Sequence, residues 1–164
     1  MKRFQVLVFL ALLLTCVGCD HLAKQIAHSA LAGSTGFSLA ADTLRFELAL
    51  NSGAFLSLGA GLPAGMRQLI FLGLVPLLLA VICVFALRSG IWSLVGLSLV
   101  AGGGLANWLD RLQHGGAVTD FVSFGVGPFR TGLFNLADVS IVAGVALLLL
   151  LSLEPDDSKN PRTW

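Results

Sequence analysis

Four stretches of the chain are apolar almost without interruption, and the polar residues crowd at their ends. The runs cover 4–26, 68–87, 91–109 and 134–153. Each approaches the roughly 20 residues that a helix needs to cross a bilayer. The pattern therefore predicts an all-α membrane protein of four transmembrane helices. Pro76 inside the second run has no amide N–H and predicts a kink there. Gly96 and the triplet Gly102-Gly103-Gly104 mark the third as a helix that its neighbours approach closely. Close packing is preferred over a ligand loop for these glycines, because they sit inside a span and follow no strand.

Between the spans the periodicity changes. Leu44-Arg45-Phe46-Glu47-Leu48-Ala49-Leu50 alternates large apolar with mostly polar or small residues, the period of a half-buried strand. Phe37 and Leu39 can extend a partner strand across the Ala40-Ala41-Asp42-Thr43 turn. Gly125-Val126-Gly127-Pro128 is a second turn signal, between two Phe-containing arms. The outer segments 29–67 and 110–133 are thus expected to form a small extracytoplasmic β-rich platform on a single membrane domain, residues 1–153. The polar tail 154–164 reads as disordered and cytoplasmic.

Orientation is weakly encoded. Lys2, Arg3 and Arg88 favour a cytoplasmic N-terminus, yet Lys24, Arg45, Arg67, Arg111 and Arg130 then fall outside. Those five need a reason in function or headgroup contact. The first span also resembles a signal sequence, and Val17-Gly18-Cys19 resembles the end of a lipobox. Asp20 and Lys24, one helical turn apart, favour a retained helix in which they pair on one face.

Composition supports the lipid environment. Of 164 residues, 56% are hydrophobic and 12% charged, against about a quarter charged in soluble domains. The net charge of +1 argues against a nucleic-acid partner. Cys16, Cys19 and Cys83 lie in apolar runs and are odd in number, so no disulfide framework is expected. His21, His28 and His114 lack metal-ligand spacing and read as interfacial residues.

The candidate chemistry lies where spans end. Asn107, Asp110 and Arg111 share one helical face, as do Asn135 and Asp138. Alternating helix direction brings both sets to the same membrane level as Asp20 and Lys24, with Asp120 on the loop between spans three and four. Asp20, Lys24, Asp110 and Arg111 are expected to be interhelical salt bridges. Asp120 and Asp138 remain once those cations are used. A carboxylate at bilayer depth costs several kcal/mol and is a functional-site candidate by default. Two unpaired carboxyls in contact share one proton. Such a pair can activate water as a base and protonate a leaving amine as an acid, chemistry that calls for neither metal nor cofactor.

In order and spacing, these motifs resemble the bacterial lipoprotein signal peptidase family, signal peptidase II. The strongest parts are Asn107-Trp108-Leu109-Asp110-Arg111, then Gly115-Gly116-Ala117-Val118-Thr119-Asp120-Phe121, then Phe134-Asn135-Leu136-Ala137-Asp138. Asp20-His21-Leu22-Ala23-Lys24 and Asn51-Ser52-Gly53-Ala54-Phe55 match more weakly. The resemblance implies an intramembrane aspartyl endopeptidase that cuts prolipoproteins just before a diacylglyceryl-modified cysteine. It implies Asp120 and Asp138 as the catalytic dyad. Asn51, Gly53, Asn107, Arg111 and Asn135 would line the site, with Asp20, Lys24 and Asp110 in support. It further implies a β-structured cradle, a lipid-modified prolipoprotein and membrane lipid as partners, and a monomer in the bacterial inner membrane with its site on the outer side. The chain departs from the family pattern at Ala23, at Ala106 and at Phe55, which stands one position early. The departures bear on the substrate-clamping details more than on the dyad. Two other readings use the same residues: a small proton-coupled transporter or channel subunit with the carboxylates as a relay, and an assembly protein with salt-bridged helices.

Overall fold

A computed structural model describes residues 2–54 and 57–153. The expected displacement of Phe55 and the 154–164 tail lie outside the described residues. Four helices are long and apolar enough to cross a membrane: α1 (Lys2–Leu31), α2 (Ala64–Ala86), α3 (Ile91–Gln113) and α4 (Leu136–Leu153). α1 and α3 continue beyond their apolar windows, to Leu31 and Gln113. Hydropathy ends where the chain turns polar, but backbone hydrogen bonding does not. The irregularity around Pro76 takes the form of a π-helical stretch, Leu69–Leu74, just before the proline.

α3 is the hub of the bundle and touches the other three helices. Successive helical residues turn by about 100°, and the glycine triplet uses that rotation. A Cβ at Gly102 would lie 2.7 Å from Cβ of Cys16 on α1, and one at Gly104 would lie 2.5 Å from Cδ2 of Leu79 on α2. At Gly103 it would run into the backbone carbonyl of Ala137 on α4. Three consecutive residues thus face three different helices. In lipid, where the hydrophobic effect between helices is absent, this close approach supplies the packing energy. Gly103→Ala is expected to lower stability by about 1–3 kcal/mol, because a carbonyl cannot step aside without moving α4. Gly104→Ala should cost much less, since the Leu79 side chain can rotate away. Melting curves in detergent measure the difference, and equal losses would contradict this packing.

The outer segments build one antiparallel sheet in the order β1-β2-β3-β4, with β1 (Phe37–Leu39), β2 (Leu44–Asn51), β3 (Val118–Val126) and β4 (Phe129–Arg130). Phe37 pairs with Phe46, and Leu44 with Phe124. The period-two reading of β2 holds only as far as a β-bulge. Phe46 pairs with Val122, but Ala49 pairs with Asp120, so β2 carries one extra residue between them. An odd insertion exchanges the two faces of a strand. Leu50 is therefore turned outward, 62% exposed, and Asn51 is turned to the face that Asp120 occupies.

Two of the outer arginines find protein partners in this sheet. Arg45 donates from Nε and Nη2 to the Asp42 carboxylate at 2.7 and 2.6 Å, and Arg130 donates to the carbonyl and carboxylate of the same residue. Arg67 donates to the carbonyls of Ala60 and Leu62. Their placement thus has local structural reasons.

Candidate active site

The start of α4 organises the site. Asn135 precedes the helix and Asp138 is its third residue, and the two exchange hydrogen bonds. The Asp138 amide donates to Oδ1 of Asn135 at 3.0 Å, and the Asn135 amide donates to Oδ2 of Asp138 at 3.3 Å. This is a capping box, which satisfies amides a helix start leaves orphaned. The amide between them, on Ala137, donates to Oδ1 of Asp20 from α1 at 2.9 Å. Asp138 thus sits in the first turn, where the helix dipole favours negative charge, and not in the body of the span. The Asn-Leu-Ala-Asp spacing carries this signal; reading Asp138 only as a charge in an apolar run misses it.

Two asparagines aim their amide groups at the two acids. Oδ1 of Asn107 accepts from Lys24 Nζ at 3.2 Å and from Asn135 Nδ2 at 3.1 Å. Its Nδ2 must then face the other way, and it donates to Oδ1 of Asp138 at 3.0 Å. Oδ1 of Asn135 is taken by the capping bond, so its Nδ2 faces Oδ1 of Asp120 at 2.7 Å. Asn51, brought round by the bulge, donates to Oδ2 of Asp120 at 2.9 Å. Asn135 thus contacts both acids, one through its backbone and one through its side chain.

Asp120 and Asp138 are 2% and 6% exposed. Neither forms a salt bridge among the described residues. Burial pushes the Asp120 carboxyl up to about 6 from its ordinary 3.8. The Asp138 charge adds to this rise, while the amides of Asn51 and Asn135 and the more distant Lys24 oppose it. A carboxyl in that position keeps its proton in a range where most carboxyls have lost theirs.

The expected ion pairs form at Lys24 and not at Arg111. Lys24 Nζ lies 2.7 Å from Asp20 and 3.0 Å from Asp110; with Asn107 this occupies all three ammonium protons. Oδ2 of Asp110 also accepts the Thr119 amide at 2.6 Å, which ties β3 to the end of α3. Arg111 holds no carboxylate among the described residues. Its Nη2 donates to the Gly53 carbonyl at 2.6 Å, its Nη1 to the Asn107 carbonyl at 3.3 Å, and its guanidinium lies 4.7 Å from the centre of the Phe71 ring. A charge adjacent in sequence suggests pairing, but the next residue on a helix points about 100° away. His114 is likewise no bare interfacial residue: its Nδ1 lies 2.7 Å from Asp110, and its ring stacks on His28.

Gly53 belongs to the same construction. Its amide donates to Oδ1 of Asn51 at 2.8 Å, and a Cβ on it would lie 2.6 Å from the Leu58 carbonyl oxygen. Only glycine lets the loop close this tightly. At the departures, Ala106 is buried in the bundle, and Ala23 lines an apolar groove with Phe37, Phe46 and Phe121. Every site residue read from the sequence thus falls in one network at one end of the bundle. A relay across the membrane would need polar residues in the other halves of the helices, where none of this network extends.

Two buried carboxyls, joined through Asn135 at one end of a four-helix membrane bundle, form the centre of this candidate site. The model of the signal peptidase (SPase) II family matches residues 12–154, and the chain belongs to that family. It is a multi-pass membrane peptidase. Among similar proteins, the lipoprotein signal peptidase of Coxiella burnetii (strain RSA 493 / Nine Mile phase I) is 38% identical over 71% of this chain and 72% of its own length. That of Gloeobacter violaceus is 35% identical over 88% of this chain and 80% of its own. The fold is shared with a bacterial membrane enzyme structure solved by the in meso method at 2.3 Å resolution. Its TM-score is 0.79 at 23% identity, covering 95% of this chain and 93% of that one.

Proposed function

We propose that this peptidase removes signal peptides from prolipoproteins just before a diacylglyceryl-modified cysteine, with Asp120 and Asp138 as the catalytic pair. The observation that carries the reading is the pair itself: two buried carboxyls that form no salt bridge among the described residues, each receiving amide hydrogen bonds from fixed asparagines. In the resting enzyme the pair holds one proton. The ionised member takes a proton from water as the water attacks the scissile carbonyl. The protonated member donates to that carbonyl oxygen; as the tetrahedral intermediate collapses, the acid that took the water proton gives it to the leaving amine and the other takes back a hydroxyl proton, which restores the pair. The titration belongs to the pair and not to either acid.

The surroundings suit a lipid-bearing substrate. An apolar groove of about 330 Å³, lined by Phe134, Val139, Val142 and Ala146, opens beside the first turn of α4. Acyl chains lying on such faces contribute about 0.8 kcal/mol per buried methylene, which would hold the scissile bond at the depth of the acids. Asn51, Gly53, Asn107, Arg111 and Asn135 form the lining of the site. Asp20, Lys24 and Asp110 hold that lining in place. The enzyme acts as a monomer in the bacterial inner membrane, as one domain over 1–153, with the sheet and the acids on the outer side. Incubating the purified protein with a lipidated precursor peptide tests the reading by product mass. Cleavage directly before the modified cysteine is expected. Cleavage elsewhere, or of the unlipidated peptide at equal rate, would overturn it.

A further inference from the structure

Phe71 takes no part in the chemistry above, yet it closes a chain of contacts that ends on Asp120. It is the buried residue of the π-helical stretch in α2, whose flanking Leu69 and Leu74 are exposed. π-helical turns are uncommon and concentrate at functional sites. The distortion is held from α3. Pro76 has no N–H to offer the carbonyls one turn earlier, and the indole N–H of Trp108 donates to the Leu72 carbonyl at 3.4 Å.

The Phe71 ring face lies 4.7 Å from the Arg111 guanidinium. Arg111 is buried, holds no carboxylate, and its Nε meets no acceptor among the described residues. An aromatic face is the remaining favourable surface for such a cation, and the interaction strengthens when water is excluded. The fixed guanidinium holds the Gly53 carbonyl at 2.6 Å. Gly53 and Ala54 in turn hold the Asn51 side chain, through the Gly53 amide and the Ala54 carbonyl. Asn51 then reaches Asp120.

We propose that Phe71 is a positioning residue: its ring fixes Arg111, and through Gly53 and Asn51 it sets the amide that contacts Asp120. The assignment rests on Asp120 being one of the catalytic pair. It explains why α2 departs from regular helix beside a site that α2 does not otherwise supply.

The test uses the full-length enzyme in detergent with a lipidated precursor peptide. Phe71→Leu keeps apolar bulk and removes the ring; Phe71→Tyr keeps the ring; Phe71→Met replaces the leucine variant if that one folds poorly. Phe71→Leu should lower kcat/KM about three- to thirtyfold, the range of a desolvated cation–π contact, with a modest fall in melting temperature from the lost ring. The Asn51 amide favours the ionised form of Asp120, so the limb of the pH–rate profile governed by the pair should move to higher pH. Hydrogen exchange at the Gly53 and Ala54 amides should quicken. Phe71→Tyr should restore all three. Equal losses in the leucine and tyrosine variants, or unchanged exchange in Phe71→Leu, would overturn the proposal. If the wild-type enzyme left the peptide uncut, the proteolytic reading would fail, while amide exchange would still decide whether Phe71 holds the loop.

Discussion

Asp120→Asn should abolish cleavage of the lipidated precursor, by about a thousandfold or more, while the protein still inserts and folds. General acid–base groups contribute about 10²–10⁴ each, and an amide can neither store nor deliver the proton. The variant should also change how stability responds to pH. In the folded protein Asp120 keeps its proton up to about 6, against 3.8 for an ordinary carboxyl. The folded state is therefore favoured by this group at low pH and loses that advantage as pH rises from 3.8 through about 6. The span corresponds to at most about 3 kcal/mol. Melting temperatures of the wild type should carry this fall, and those of Asp120→Asn should lack it. Absolute stability need not rise, because the new amide sets a donor against the Asn51 or Asn135 donor. Asp138→Asn should be as inactive but less clean, since Asp138 is also half of the cap of α4. Substantial cleavage by either variant would reject the pair.

Lys24→Met is expected to cost more stability than any other single change in the network. The lysine neutralises Asp20 and Asp110 at 2.7 and 3.0 Å, and all three groups are buried. Methionine fills much of the same volume but leaves two carboxylates without a counter-charge. Breaking a buried pair in this way costs about 3–5 kcal/mol. The damage should spread, because Lys24 orients the Asn107 amide that contacts Asp138, and Asp20 caps Ala137 on α4. Thermal unfolding in detergent should show a large drop, and residual cleavage should fall with it. Asp20→Asn should lower stability less, since the substitute can still accept from the Ala137 amide. A Lys24→Met protein as stable as wild type would contradict this account of the ion pairs.

How much could be read without coordinates depended on the kind of force involved. The four helices were readable because lipid imposes an unbroken apolar run of a set length. The acids were readable because charge near such runs is costly and therefore conspicuous. The cations were only half readable. Lys24 bridges as helical spacing suggests, whereas Arg111 turns to a backbone carbonyl and an aromatic ring that lie far off in sequence. Asn51 illustrates a deeper limit. Its side chain reaches Asp120 only because β2 holds one extra residue, and nothing in the alternation of Leu44–Leu50 announces where a strand will bulge. The π-helical stretch is similar: Pro76 signals a disturbance, but the register of that disturbance depends on Trp108 and Arg111 from another helix. The capping box at Asn135 and Asp138 was within reach, since its spacing is local.

One acid is carried by the sheet and the other by the bundle; the Thr119 amide tied to Asp110 and the Asn135 side chain that spans the seam hold the two sides together. A molecule that wedged into that seam would switch the enzyme off without resembling a peptide or occupying either carboxyl. Inhibitors of this kind would separate the reactive groups and leave each of them chemically intact.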